Sequence, residues 1–173
     1  PCIKNCFHIV FTNFISDLKK GLTPNPDILC NQKIKFKWFY EKALQLGADF
    51  VATGHYCRTK DGKLFKGLDE NKDQSYFLSQ INPLVLQKVL FPLGELKKSE
   101  VRKIAEKHKL LVAKKKDSTG ICFIGKRNFP DFVAQYLKLR PGNFINLEGK
   151  IVGQHNGAHF YTEGQRRQLG LGG

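Results

Sequence analysis

Residues 49–56, which read DFVATGHY, decide the fold class of this chain. The run is short and apolar, and it opens at Gly54 into a turn, as a buried strand does at its end. A segment with helical periodicity stands before it and ends at Gly47. Helix, glycine, short apolar strand and glycine-containing turn make half of a βαβ unit, so we predict an α/β fold with a parallel sheet.

The segments before this strand alternate helix and loop. Apolar residues recur at helical spacing over residues 11–18, and Gly21 follows as a C-cap, which predicts a first helix. Pro24 and Pro26 stiffen a loop over residues 22–31, because proline does not continue a helix. A second helix follows, and its predicted apolar stripe consists of Ile34, Trp38, Phe39, Ala43 and Leu46.

The segments after the strand predict a hairpin and three helices. An Asp-Gly turn signal at 61–62 lies inside a predicted hairpin over residues 57–70. Helices are predicted for residues 73–79 and 84–90, and Ser99 is the expected cap of another.

The character of the chain changes after residue 125. Asn128 is the expected cap of one more helix, and beyond Gly142 the chain consists of short strands with glycine turns. We therefore predict two domains, residues 1–125 and a small β-rich domain at residues 126–173.

The composition favours a polyanion as partner. The 173 residues include 29 Lys and Arg against 15 Asp and Glu, a net charge of +14, and 41% hydrophobic residues, which is typical of a globular chain. Nucleic acid is the first expectation, and a lysine-rich solvated surface is the alternative. No apolar run approaches the roughly eighteen residues of a membrane span, and no secretory signal opens the chain.

The cysteines predict free thiols in a reducing compartment. Their number is odd, their spacing is irregular and no C-x-x-C occurs, so a zinc ribbon or a thioredoxin-type pair is disfavoured and we expect no metal site. A metal at Cys2, Cys6 and His8 is less plausible than an ordinary terminus. Neither these two cysteines nor Cys57 receives a role.

Two cysteines stand in loops that favour reactivity. Cys30 follows the proline loop just before the predicted second helix, where helix N–H groups and nearby lysines lower a thiol pKa. Asp27 can act there as acid or base, or as a helix cap. Cys122 lies between Gly120 and Gly125 after three lysines, which suits a loop that delivers a thiol. Burial as apolar filler is the alternative for both, and together they predict two-cysteine sulfur chemistry.

Two further regions predict ligand contacts. Gly54 lies at the carboxyl end of the predicted strand, where open α/β sheets bind ligands, and His55 or Tyr56 can contact a base or phosphate. Residues 72–77 and 164–168 combine cations, amides and aromatic groups, as RNA-binding surfaces do. Alternatively, Tyr76 and Phe77 belong to the core and the two arginines to a solvated face. The chain has no glycine-rich phosphate loop.

From about Phe14 onward, the chain resembles the tRNA-specific 2-thiouridylases. Order and spacing follow that family in five runs: 23–31 (TPNPDILCN), 52–56 (ATGHY), 71–77 (NKDQSYF), 115–125 (KKDSTGICFIG) and 162–166 (TEGQR). The resemblance implies that residues 1–125 are the C-terminal part of an ATP-pyrophosphatase-type domain, of the adenine nucleotide alpha hydrolase-like kind, followed by the central domain.

The resemblance also implies an activity and its partners. Such an enzyme adenylates C2 of the wobble uridine of tRNA with ATP, with Mg²⁺ expected. Sulfur from a cysteine persulfide then replaces the activated oxygen and gives 2-thiouridine and AMP. The implied partners are tRNA with a wobble uridine and a persulfide sulfur-carrier protein or cysteine desulfurase. A cytoplasmic location is expected, with a mitochondrial or other organellar matrix as the alternative.

By position, the resemblance assigns roles to individual residues. Cys122 is similar to the persulfide carrier, Cys30 to the partner thiol that forms a disulfide with it, and Asp27 to the acid or base. Gly54 matches an ATP contact. The matching tRNA contacts are Asn25, Pro26, Asp27, His55, Lys72, Asp73 and Gln74.

The chain departs from the family pattern at both ends. The phosphate loop of the type Ser-Gly-Gly-Val-Asp-Ser and the C-terminal β-barrel are not in the sequence, so we expect an internal fragment that is inactive alone. Two alternatives stay open. One is another ATP-pyrophosphatase-type tRNA-modifying enzyme, forming lysidine or 4-thiouridine, and the other is a non-catalytic RNA-binding module.

Overall fold

A computed structural model describes residues 7–115, 121, 124–125 and 127–171 of the chain. These residues form two compact units. The described part of unit 1 is residues 27–115, and that of unit 2 is residues 7–26, 121, 124–125 and 127–171.

Unit 1 combines helices with two pairs of strands. It begins inside helix α2 (Pro26–Cys30), which continues as a π-helical stretch (Asn31–Phe39) and as α3 (Tyr40–Gln45). Its later elements are β1 (Val51–Ala52), β2 (Cys57–Lys60), β3 (Lys63–Lys66), two 3₁₀ turns (Ser75–Leu78 and Pro83–Lys88), β4 (Val89–Leu90) and α4 (Lys98–Lys107).

The parallel sheet that the sequence predicts is present. Val51 of β1 pairs with Val89 of β4 and Ala52 with Leu90, in parallel orientation. The N–H of Thr53 donates to the carbonyl oxygen of Leu90 at 3.0 Å and extends the pairing. The prediction of a helix through residues 84–90 is wrong at its end, because Val89 is buried in the core as a strand residue.

The predicted hairpin is also confirmed. β2 and β3 pair antiparallel, and the turn residues Asp61 and Gly62 have φ angles of 52° and 70°. Positive φ at both central turn positions matches the right-handed twist of the flanking strands, which is why Asp-Gly favours this turn.

One apolar cluster fills unit 1. Its buried members come from the π-helical stretch, the hairpin, the 3₁₀ turns and β4: Phe36, Cys57, Leu78, Ile81, Val85, Leu86, Val89 and Phe91. The predicted stripe of the second helix is wrong in part, since Phe39 is 48% and Leu46 is 76% exposed. The π-helical winding from Asn31 to Phe39 changes the residue spacing on each face, so an α-helical period does not apply there.

The start of α4 differs from the prediction as well. The helix begins at Lys98, so Ser99 lies inside it and does not cap it. The carboxylate of Glu100 accepts the N–H of Lys97 at 2.7 Å, and that of Asp69 accepts the N–H of Lys98 at 2.9 Å. A carboxylate from 29 residues upstream therefore supplies part of the cap.

Unit 2 is a small helical and β-stranded unit. A π-helical turn (Phe7–Phe11) leads into α1 (Thr12–Lys19), and the later elements are α5 (Phe129–Ala134), β5 (Gly142–Ile145), β6 (Ile151–His155) and a 3₁₀ turn (Ala158–Phe160). Its buried core consists of Phe14, Ile15, Leu18, Ile124, Phe132, Val133 and Leu137.

The sequence signals in unit 2 act as predicted. Gly21 ends α1 with a φ of 77°, and its N–H donates to the carbonyl oxygen of Leu18. Asn128 caps α5, because its side-chain oxygen accepts the N–H of Asp131. β5 and β6 form an antiparallel pair, which agrees with the predicted β-rich character. Among the described residues, no helix is both long and apolar enough to cross a membrane.

Gly94 offers a test of the core of unit 1. A Cβ at this position would overlap the carbonyl oxygen of Cys57 and approach its carbonyl carbon to 2.8 Å. Because that neighbour is backbone, Gly94→Ala is expected to lower the free energy of unfolding by about 2 kcal/mol. Urea denaturation measures the change. The matched control is Gly54→Ala, whose Cβ would meet only Leu93 at 3.8 Å and should change stability little.

Candidate functional site

Asp27 and Cys30 lie on one short helix. Pro26 stands at its first position, where a missing N–H removes no helical hydrogen bond. Residues three apart share a helix face, so the carboxylate and the thiol are neighbours on α2. Cys30 is buried, with 8% of its surface exposed, and Asp27 is half-buried. Burial raises the pKa of the Asp27 carboxyl, and the nearby Lys35 opposes that rise.

The helical environment of Cys30 differs from the prediction. The sequence places this thiol just before a helix, whereas the helix begins at Pro26 and runs through Cys30 into the π-helical stretch. The positive end of the helix therefore lies beside Asp27, and the argument that it lowers the pKa of Cys30 is wrong. Lys33, Lys35 and Lys37 still follow the thiol closely in sequence.

Asn31 is a site residue that the sequence analysis did not single out. It is 2% exposed, and its side-chain nitrogen donates to the carbonyl oxygen of Phe77 at 3.2 Å. Its Oδ1 is buried and has no hydrogen-bond partner among the described residues. The contact ties the helix that carries Cys30 to the end of the predicted RNA-binding run. An asparagine after a helical cysteine carries no signal for such a distant partner.

Gly54 and His55 follow β1 at the carboxyl end of the parallel pair. Gly54 is exposed, so its backbone is accessible there. The ring of His55 lies near the rings of Phe36 (5.7 Å) and Phe91 (6.3 Å), and its Nδ1 lies 2.9 Å from the hydroxyl of Thr53. Burial, together with a smaller effect of the charge of Lys35, lowers the pKa of His55 to about 4. The imidazole is therefore neutral at pH 7.

A pH titration of His55 follows from this environment. Because folding lowers its pKa from 6.5 to about 4, the stability that the neutral ring contributes is present above pH 6.5 and lost as the pH falls towards 4. The ring-proton NMR signal of His55 should not shift between pH 8 and 6. The variant His55→Gln should lose less stability than the parent between pH 6.5 and 4. A His55 midpoint near 6.5 would contradict the buried environment.

The side-chain acceptor atoms of Asp73 and Gln74 accept hydrogen bonds from within the protein. The carboxylate of Asp73 accepts the N–H of Gly67 at 2.9 Å and the hydroxyl of Ser75 at 2.8 Å. Burial alone would raise the pKa of Asp73, but these hydrogen bonds outweigh it and the pKa is lowered. Gln74 accepts the N–H of Tyr56 through its side chain and donates its own N–H to the carbonyl oxygen of Tyr56, both at 3.0 Å.

The other aromatic and tRNA-contact candidates divide by exposure. Lys72 and Asn25 are exposed, whereas Pro26 is buried. Tyr56 is buried, and the ammonium of Lys98 lies 5.4 Å from its ring centroid, so of the two alternatives His55 or Tyr56 the burial favours His55 as the ligand contact. The exposed ring of Tyr76 stacks beside Phe77 at 4.1 Å, and Arg166 and Arg167 are exposed.

Besides Cys30, the described residues include one further cysteine, Cys57. Cys122, the second predicted thiol, lies outside the described residues, as do Cys2 and Cys6. Cys57 is fully buried, and burial together with the charge of Asp73 raises its pKa to about 12. Its thiol therefore stays protonated and is a poor nucleophile. The described residues hold no group of three or more side chains suited to bind a metal ion.

These features define a class of protein before any relative is considered: an α/β domain with a glycine at the carboxyl edge of a parallel strand pair, followed by a small β-containing unit. Family comparison also divides the chain near residue 126, but it places residues 7–26, which belong to unit 2, in the first part. Residues 3–126 match the family described as tRNA methyl transferase HUP domain, and residues 130–173 match the tRNA methyl transferase PRC-barrel domain. The chain therefore consists of an ATP-pyrophosphatase-like HUP domain followed by a small central domain.

Individual relatives narrow the family. A protein of Protochlamydia amoebophila named tRNA-specific 2-thiouridylase MnmA is 58% identical over 99% of this chain and 47% of its own length. Its namesake from Staphylococcus aureus strain JH9 is 56% identical over 95% of this chain and 45% of its own length. The chain belongs to the MnmA family of tRNA-specific 2-thiouridylases. It spans about half the length of these curated relatives.

Proposed function

We propose that this chain carries part of the catalytic machinery of a tRNA 2-thiouridylase. The reaction adenylates C2 of the wobble uridine and then replaces the activated oxygen with sulfur from a cysteine persulfide. We propose that the boundary between the two domains lies between residues 125 and 126.

The observation that carries the proposal is the shared helix face of Asp27 and Cys30. A half-buried carboxyl with a raised pKa is a better proton acceptor than an exposed one, and it can return the proton that it accepts. A thiol one helical turn away, with only 8% of its surface exposed, is shielded from water. Proton transfer and sulfur transfer at a single nucleobase require the carboxyl and the thiol to lie close together.

We propose a reaction of three chemical steps. The C2 oxygen of uridine attacks the α-phosphate of ATP and pyrophosphate leaves, while Asp27 takes the N3 proton. The outer sulfur of the Cys122 persulfide attacks C2, the C2–O bond breaks and AMP leaves. The Cys30 thiolate then attacks the inner sulfur, and the S–S bond to the C2-bound sulfur breaks. Asp27 returns the proton to N3, which gives 2-thiouridine and a Cys30–Cys122 disulfide. A cellular thiol reductant must reduce that disulfide before the next turnover.

The position of Gly54 is compatible with an ATP contact. It is exposed at the carboxyl end of β1, and ligands of open α/β sheets bind outside that edge. A Cβ added at this position would contact only Leu93, at 3.8 Å. A side chain there would therefore not clash with the protein, and glycine is not required at residue 54 for that reason. ATP supplies the adenylyl group when bound. We include Mg²⁺ in the proposal because it neutralises the phosphates of ATP.

For tRNA, we propose contacts at the residues that the family resemblance names. Lys72 and Asn25 are exposed and can reach the phosphate backbone or a base. His55 would contact RNA as a neutral hydrogen-bonding group, since its pKa is about 4. Asp73, Gln74 and Pro26 support the binding surface from within. The further partners are a persulfide carrier protein or cysteine desulfurase, and the proposed location is the cytoplasm, with an organellar matrix as the alternative.

A product assay tests this function. The complete gene product is incubated with tRNA bearing a wobble uridine, ATP, Mg²⁺ and a persulfide donor. The proposal requires 2-thiouridine at the wobble position and one AMP per modified base. Lysidine or 4-thiouridine as product would assign another tRNA-modifying activity. Binding of tRNA without any product or pyrophosphate release would favour a non-catalytic RNA-binding module.

A further inference from the structure

A pocket in unit 2 has no part in the proposed chemistry. It has a volume of about 490 Å³ and lies between the end of α1, the segment that follows α5 and the 3₁₀ turn Ala158–Phe160. Its floor is apolar, because Leu18 and Leu137 belong to the buried core. We call it the basic pocket, since its exposed lining residues include Lys19, Lys138 and Arg140.

Negative groups around the basic pocket are neutralised. No carboxylate lines it among the described residues. Asp17, on the same helix as Lys19, has its carboxylate 3.8 Å from the ammonium of Lys20, which does not line the pocket. The carbonyl oxygens at the end of α1 accept N–H groups of the following turn. An anion that enters the pocket therefore meets three cations without a competing charge.

The two rings of the basic pocket are engaged elsewhere. Tyr136 packs against Phe11 (4.8 Å) and Phe132 (5.3 Å), and His159 against Phe160 (4.3 Å). A nucleobase would have to compete with these contacts for ring surface, so the pocket is better suited to phosphate than to a base.

His159 adds a neutral hydrogen-bonding group to the wall. Burial lowers its pKa, and His155 lowers it further. Its Nε2 is buried without a hydrogen-bond partner among the described residues. A neutral imidazole adds no charge to the wall, so the attraction for an anion comes from Lys19, Lys138 and Arg140.

We propose that the basic pocket binds a phosphodiester group of the tRNA backbone and positions the RNA on unit 2. The inference rests on the proposed function for the identity of the polyanion. The exposed cations stand over an apolar floor, whereas phosphates of small metabolites are commonly held by helix N-termini and backbone N–H groups. Such an arrangement suits a phosphate that a large molecule presents from outside, and the contact would be independent of base sequence.

The test is a salt series of tRNA binding with the full chain. Lys138→Glu combined with Arg140→Glu should weaken tRNA binding about tenfold or more at low salt and reduce the slope of log K against log salt by about one per lost phosphate contact. The matched control is Lys60→Glu with Lys63→Glu, an exposed pair across the hairpin turn that carries the same charge change. The control variant should lose less affinity for tRNA than the pocket variant, and its slope of log K against log salt should stay closer to that of the parent.

Each outcome decides the proposal. Equal losses in both double variants would show a general charge effect and overturn the pocket. If the parent chain itself fails to bind tRNA, the proposed function fails together with the pocket. If the pocket variant loses ATP binding while its tRNA binding equals that of the control, the site belongs to a nucleotide and the proposal is overturned. Lys138→Gln combined with Arg140→Gln should also weaken tRNA binding, but by less than the two glutamates do. The midpoint of thermal unfolding should be unchanged in every variant.

Discussion

Serine at either of the two proposed sulfur-transfer thiols is expected to abolish 2-thiouridine formation in the complete gene product. We expect Cys30→Ser and Cys122→Ser each to reduce the rate roughly a thousandfold or more, because a hydroxyl neither carries a persulfide sulfur nor attacks one. Both variants should still bind tRNA and release pyrophosphate, since adenylation precedes sulfur transfer. Mass spectrometry of digested tRNA and a pyrophosphate assay on the same samples separate the two steps.

Cys57→Ala is the control for this pair. Its thiol is fully buried and has a pKa of about 12, so its loss should reduce stability by creating a small cavity but leave the rate per folded molecule unchanged. Normal 2-thiouridine in cells that contain only a Cys122→Ser enzyme would refute the persulfide role. A mild oxidation that pairs Cys57, rather than Cys30, with Cys122 would refute the proposed disulfide.

The second large effect is expected for Asp27→Asn. An amide of the same shape cannot transfer a proton, so the single-turnover rate should fall by about 10² to 10⁴. Because burial raises the pKa of Asp27, its charge is unfavourable in the folded state, and the neutral amide should leave stability unchanged or raise it at pH 7. Loss of rate without loss of stability separates a chemical role from a structural one.

The pH profile sharpens this test. The parent rate should fall at low pH as Asp27 is protonated, whereas Asp27→Asn should lack that limb. Glu106→Gln, which changes an exposed carboxylate on α4, should retain both the rate and the profile. An Asp27→Asn enzyme with more than half the parent rate would rule out proton transfer by this carboxyl.

Local chemistry explains what the sequence predicted correctly. The Asp-Gly hairpin, the glycine after α1 and the asparagine before α5 each satisfy a backbone requirement within a few residues. Signals of this kind do not depend on the rest of the chain.

Features that depend on distant partners were not predictable in this way. The apolar run 84–90 gives no sign that Val89 and Leu90 pair with β1, since a short buried strand and a buried helix end look alike in sequence. The cap of α4 uses Asp69, and the anchor of the Cys30 helix uses the carbonyl of Phe77. The helix start at Pro26 was missed because proline fits the first turn of a helix as well as a loop.

The hydrogen bonds of Asp73 and Gln74 have a consequence for genetics. Their side chains hold Gly67, Ser75 and Tyr56 in place, whereas the side chain of neighbouring Lys72 is exposed. Alleles at Asp73 and Gln74 therefore belong to the temperature-sensitive kind, with function restored by growth in the cold or by stabilising second-site suppressors. Alleles at Lys72 should be equally defective at every growth temperature and escape such suppression. Mutations in three consecutive codons would therefore give two groups of phenotypes, temperature-sensitive at Asp73 and Gln74 and independent of temperature at Lys72.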